Sequence, residues 1–143
     1  MKSTLFICLL GITLFSSCKK EDNSSSQPLS VASVNNTVVT GNWRVTYYYD
    51  TDHDATSSFA GYQFVFGANG VITATKAGNT ISGSWSSGTD DSQIKLILSF
   101  STPANFSEIS DDWHVTSRTD TKITLQDVSG GNGGTDYLTF ERN

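Results

Sequence analysis

The sequence predicts an all-β domain, an antiparallel up-and-down barrel of about eight strands with one short helix. Three observations predict it. Runs of β-branched and aromatic residues recur between turn residues, with almost no helix-period pattern. Several runs alternate apolar and polar side chains, so that one face is buried and one is wet. Most links between runs are short and local, which favours a sheet closed on itself over a two-sheet sandwich. Closure also removes exposed strand edges.

The elements follow in order. WRVTYYY at 43–49 is the first strand and YQFVF at 62–66 the second. GANG at 67–70 turns the chain into VITAT at 71–75. AGN at 77–79 leads into TISGSW at 80–85, where Ile81, Gly83 and Trp85 share one face. GTDD at 88–91 leads into IKLILSF at 94–100, where Ile94, Leu96, Leu98 and Phe100 oppose Lys95 and Ser99. The pattern then breaks at PANFSEI, 103–109. Proline is tolerated in a first helical turn, Thr102 is placed to cap it, and Phe106 with Ile109 gives one apolar side. A short helix is expected there, between the fifth and sixth strands. WHVT at 113–116, KITLQ at 122–126 and YLTFER at 137–142 complete the set.

The N-terminal segment has a different character. Lys2 is the only charge before Cys18, and an apolar core spans 5–15 before the small pair Ser16-Ser17. That is the pattern of a secretory signal peptide, too short for a membrane span of about 20 apolar residues. LFSSC at 14–18 resembles the lipobox of bacterial lipoproteins, with Phe15 where that family most often has Leu. The resemblance implies cleavage before Cys18 and lipidation of its sulfur, with acyl chains such as palmitate. Several chains would anchor the protein stably where one alone is marginal. KKED at 19–22 resembles the signal that sends some Gram-negative lipoproteins to the outer surface; a solvated charge run is the plain alternative. The expected location is the cell envelope, lipid-anchored in the outer membrane at its periplasmic or external face. The expected organisation is a signal peptide at 1–17, lipidated Cys18 and a flexible tether at 18–39, and the barrel at 40–143.

Composition narrows the chemistry. Cys8 falls in the leader and Cys18 carries lipid, so the folded part has no thiol for a disulfide, a nucleophile or a zinc site. The formal charge of −5, with no basic stripe, argues against nucleic-acid binding. Two histidines, His53 and His114, are too few for a zinc site. Asp112 and His114 share a strand face, but no positioned nucleophile accompanies them and no nucleophile elbow occurs. Asp111 and Asp112 are expected on opposite faces. No catalytic residue is assigned and no enzyme is expected. Asp50, Asp52 and Asp54 have the spacing that opens a calcium loop. Ala55 stands where the turn needs Gly and Gly61 where a bidentate Glu belongs, which rejects an EF-hand. The metal expectation is a looser surface calcium site at Asp50, Asp52 and Asp54, helped by Asp111 and Asp112; the alternative is a solubilising loop. No other cofactor is expected.

Gly41-Asn42-Trp43 resembles the Gly-x-Trp motif of the lipocalins and their calycin relatives, and Arg142 resembles their C-terminal arginine. Arg118-Thr119-Asp120 falls where lipocalins carry Thr-Asp-Tyr and a nearby arginine, with Thr121 in place of the Tyr. The resemblance implies a lipocalin-like barrel, closed at one end by Gly41, Trp43 and Arg142 and open at the other. Topology alone makes the same pairing. First and last strands are neighbours in a closed barrel, so Trp43 and Arg142 are expected within about 6 Å. Links at 50–61, 76–79, 101–111 and 129–135 then emerge at one end, including the glycine-rich 130–134. Those near Asn69, Asp90 and Asp120 emerge at the other. The first end is the candidate ligand mouth, with Tyr47, Tyr49 and Phe106 at its rim.

Two functional readings follow. In the first, the barrel holds a small apolar or amphipathic ligand at its open end. In the second, it is a ligand-free structural or interaction protein of the envelope, touching another envelope protein or a glycan. A monomer is expected. Interior volume separates the readings, because Trp43, Phe64, Trp85, Leu96, Trp113 and Phe140 compete for the inside.

Overall fold

The computed structural model describes residues 28–128 and 134–143. Nine antiparallel strands follow one another in space as in sequence, apart from a short addition: β1 (Trp43–Asp50), β2 (His53–Asp54), β3 (Gln63–Phe66), β4 (Val71–Lys76), β5 (Asn79–Asp90), β6 (Gln93–Ser99), β7 (Asp112–Arg118), β8 (Lys122–Val128) and β9 (Thr135–Arg142). β9 returns to pair with β1, so eight strands close the expected barrel and β2 is an appendage on β1. Two hairpins use two-residue turns. Ala77 and Gly78, then Asp91 and Ser92, all have positive φ, as the turns that match strand twist require.

The closing seam runs from Trp43 opposite Arg142 to Tyr49 opposite Tyr137. A bulge between Val45 and Tyr47 interrupts it. Before the bulge, Trp43 and Val45 are buried; after it the buried residue is Tyr48, with Tyr47 and Tyr49 turned outward. The other side of β1 meets β3 at a single register pair, Trp43 with Phe64. Above that pair the chain at 51–62 folds back: Ala55 N–H donates to Tyr48 O at 3.0 Å, and Tyr48 N–H donates to Thr56 Oγ1 at 2.8 Å. Phe59, in a 3-10 turn at Thr56–Phe59, fills the space inside.

The predicted alternation is realised in the core. Ile72, Ala74, Leu96, Leu98, Val115, Ile123, Leu125, Leu138 and Phe140 are all buried. Gly83 is required by packing: a Cβ there would lie 2.6 Å from the Phe100 ring. The short helix predicted at 103–109 is α2 (Ala104–Glu108), with Phe106 and Ile109 buried. Thr102 does not cap it; Pro103 holds the cap position with no side-chain cap bond, and Ser107 Oγ donates to Ser101 O instead.

Besides β2 and the 3-10 turn inside the predicted link at 50–61, one longer element was not expected. Residues 31–38, expected within the tether at 18–39, form an ordered helix, α1 (Val31–Val38). Ser30 opens it with a reciprocal capping box: Ser33 N–H donates to Ser30 Oγ at 3.1 Å and Ser30 N–H to Ser33 Oγ at 2.9 Å. Val34 and Val38, four apart and so on one face, are fully buried. An isolated eight-residue helix is unstable in water; burial of that face against the barrel holds it. Cys18 and residues 130–133 of the glycine-rich link lie outside the described residues.

Candidate functional site

The barrel has two dissimilar ends. The floor gathers α1, the β1 entry, the β7–β8 turn and the end of β9. Gly41 has φ +77°, and a Cβ there would come 3.1 Å from Arg142 Cδ, so only glycine lets the arginine lie flat. Arg142 does so, with its guanidinium carbon 5.1 Å from the Trp43 ring centroid. Gly41, Trp43 and Arg142 are thus brought together as expected. The floor is then latched to α1. Trp43 Nε1–H donates to Val38 O at 2.9 Å, Arg142 Nη2 to Thr37 O at 3.4 Å, and Arg118 Nη1 to Thr37 Oγ1 at 2.6 Å. Two cations at a helix C-terminus meet the negative end of its dipole. Thr37 and Arg118 were the residues that sequence reasoning underused. The Val34–Val38 spacing was the available signal for the helix that brings Thr37 there.

The other end is plugged by apolar rings. Phe106 is fully buried, 5.4 Å from Phe59, 5.9 Å from Phe64 and 5.1 Å from Phe100 between ring centroids. It is therefore a stopper rather than a rim residue. Tyr47 and Tyr49 are not rim residues either. The bulge turns them to the outer face, where their rings stack at 6.4 Å. Tyr48 takes the inner position; its hydroxyl donates to Glu108 O at 3.2 Å and ties β1 to α2. Burial first, and then nearby Asp50, push its phenol well above the ordinary tyrosine range, so it stays a donor. Ring contacts continue without a break through the interior, from Trp113 to Tyr48, Phe59, Phe64, Phe140, Phe66 and Trp85.

Connectivity placed the links correctly where they are described. Asn105 Nδ2 donates to Ser58 O at 3.5 Å, Thr51 N–H donates to Asp136 Oδ1 at the start of β9 at 2.7 Å, and Gly134 lies against Thr51, so the first and fifth links and the end of the seventh meet at the plugged end. Asp120 lies at the floor, 3.5 Å from Arg118 Nη1.

The acidic loop does not assemble a shared ligand set. Asp52 Oδ1 holds His53 Nδ1 at 2.8 Å, a contact that raises the imidazole's pKa. Asp54 Oδ1 accepts from Thr56 N–H at 2.8 Å; the Thr56 hydroxyl first, and then this N–H, lower its carboxyl. Among the described residues the carboxylates that do converge are Asp111, Asp112 and Asp127, whose oxygens lie within 4.8 Å of one another. Asp111 and Asp112 were expected on opposite faces; Asp111 precedes β7, so strand alternation does not govern it. Asp111 is exposed at its surface, but partial desolvation first, and then the Asp127 and Asp112 charges, raise its carboxyl above the ordinary range. His114 sits on the outer face beside Lys95 and Gln126, opposite in direction to buried Trp113.

No helix among the described residues is long and apolar enough to cross a membrane. No family model matches the chain, and no curated relative is similar to it. Among solved structures, the crystal structure of a DUF4847 family protein from Bacteroides vulgatus ATCC 8482 is similar over 77% of this chain and 97% of its own, at 15% identity and a TM-score of 0.48.

Proposed function

We propose that this chain is a lipid-anchored envelope protein whose lipocalin-like barrel serves as a solid interaction module, working through its outer surface rather than through a bound interior ligand. The observation that carries this reading is the unbroken ring packing from Trp113 to Trp85 across the barrel. A ligand-carrying barrel needs an interior its own side chains leave open. Here the residues that sequence reasoning set competing for the inside are buried against one another. Such a module has no catalytic task. Its best contact surface is the outer tyrosine face, where Tyr47 and Tyr137 stay about two-fifths exposed beside Tyr49. Tyrosine supplies contact area with one polar tip and little rotamer entropy to lose. The partner class is an envelope protein or a glycan.

The anchor rests on the resemblance of residues 14–18 to a lipobox. Membrane fractionation and acyl labelling test it: Cys18→Ser is expected to release the protein from membranes, and unchanged fractionation with an unlabelled wild type would remove the anchor from the reading. A fatty acid or a hydrophobic dye, followed by tryptophan emission, tests the solid barrel. No saturable binding is expected; a stoichiometric complex that shifts the emission would restore the interior-ligand reading.

A further inference from the structure

Arg118 is an unusual residue for a β-strand end in an acidic protein. Its side chain is only 4% exposed, and its Nη1 is committed to Thr37 Oγ1 at 2.6 Å and Asp120 Oδ1 at 3.5 Å. Its Nε and Nη2 meet no acceptor among the described residues, although both are buried. Those two nitrogens form the side-on edge of a guanidinium, the fork that grips two oxygens of one anion in parallel. Arg142 Nε, beside it at the floor, also meets none. Buried donors without acceptors are costly, about 1–3 kcal/mol each in general. Proteins keep few such groups, and each calls for an explanation.

Both arginines line one pocket of about 290 Å³ under α1, together with Thr37, Asn36 and Asp120. Its charge runs against that of the molecule. Two guanidinium charges face one Asp120 carboxylate and the end of α1, about half a negative charge. The balance is positive, in a chain of formal charge −5.

We propose that this floor pocket binds a phosphate-type oxyanion. The Arg118 fork would take two of its oxygens, Arg142 Nε a third, and the Asn36 amide at the exposed lip the outermost. Donors arriving from two strands and a helix suit a tetrahedral anion with four oxygens better than a planar carboxylate with two. Asp120 is the gate. It is 72% exposed, so its pairing with Arg118 is weak and readily exchanged for a better acceptor. Entry of the anion displaces Asp120 from Nη1, and the guanidinium, released from that pair, turns its buried fork into the pocket. The phosphate has two possible sources, free in solution or carried on a phospholipid headgroup.

The test is calorimetric titration of the full-length protein at low salt with inorganic phosphate and, separately, with glycerophosphoethanolamine, using sodium chloride at matched ionic strength as the reference. Saturable binding of either probe beyond chloride is expected, and the tighter of the two identifies the source. Arg118→Lys keeps the charge and loses the fork, and is expected to weaken binding about tenfold or more. Asp120→Asn removes the competing carboxylate at an exposed position and is expected to tighten binding severalfold. Heats no larger than those of chloride would overturn the proposal, as would full affinity in a folded Arg118→Lys. Should Arg118→Lys fail to fold, Asp120→Asn decides: unchanged or weaker binding overturns the site. Because the pocket lies outside the ring-packed interior, its failure would leave the solid-barrel reading untouched.

Discussion

At one end of the barrel, Phe59 and Phe106 lie edge to face at 5.4 Å, and Phe64 stacks beneath. At the other, Trp43, Arg118 and Arg142 reach α1 through three directed hydrogen bonds, and a single glycine makes room for one of the arginines. Both ends are closed, but the first by area and the second by geometry. Apolar plugs draw their strength from surface removed from water and tolerate approximate fits. Polar latches contribute less per contact and fail when one partner is removed, because the group left behind stays buried without a bond. The plugged end should therefore dominate global stability, and the latched end should control how α1 is held.

Substitutions can break that division in order of size. Phe106→Ala is expected to have the largest effect, about 3–5 kcal/mol by chemical denaturation, the range for truncating a buried aromatic. A loss under about 1 kcal/mol would mean that α2 is a loose lid rather than a stopper. Trp43→Phe keeps a ring in place but orphans Val38 O, and should cost about 1–3 kcal/mol. Ser30→Ala removes one side of the capping box and should cost about 1 kcal/mol. The loss should be local, with faster amide exchange over 31–38 and unchanged exchange in β4 to β6. Uniform acceleration would show instead that the helix and the barrel unfold as one unit.

Smaller effects are expected from charge. The exposed Asp111 carboxyl is raised in the fold, first by partial desolvation and then by the Asp127 and Asp112 charges. Its protonated form is thus favoured there. The stability this contributes is present below the ordinary aspartate range and is lost as pH rises through the raised value. Asp111→Asn should raise the Tm at neutral pH and leave it unchanged in acid, where the carboxyl is protonated in both states. Equal shifts at both pH values would assign the effect to packing. The smallest effect is expected from calcium. A bound ion stabilises by mass action, yet Asp52 and Asp54 are engaged with His53 and Thr56. Millimolar calcium is expected to leave the Tm unchanged; a rise abolished by Asp54→Asn would place an ion in the acidic loop.

Much of this was legible in the sequence because it depends on period and connectivity. Two-residue alternation marked the inner faces of β5 and β6, and the neighbourhood of first and last strands brought Trp43 to Arg142. What was hidden depended on single residues. VASVNNTV contains no strong helix former except Ala32, so propensity argued for a linker; tertiary burial of Val34 and Val38 overrode it. The tyrosine run 47–49 has no intrinsic inside. One extra residue on β1, Thr46 between Val45 and Tyr47, decides which ring enters, and that choice is made by pairing with β9 nearly a hundred residues away in the chain.

The way α1 is attached also has a mechanical meaning. A pull applied from the N-terminal side, resisted by something gripping the outer face, reaches α1 before it reaches any strand. Its bonds to the barrel, from Asn35 to Ser87, Thr37 to Arg118 and Val38 to Trp43, lie in succession along the helix and would be loaded one after another, like teeth of a zip. The β1–β9 seam behind them would be loaded as a ladder, many rungs at once. The helix is then a sacrificial link that yields first, lengthening the connection while the barrel keeps its shape.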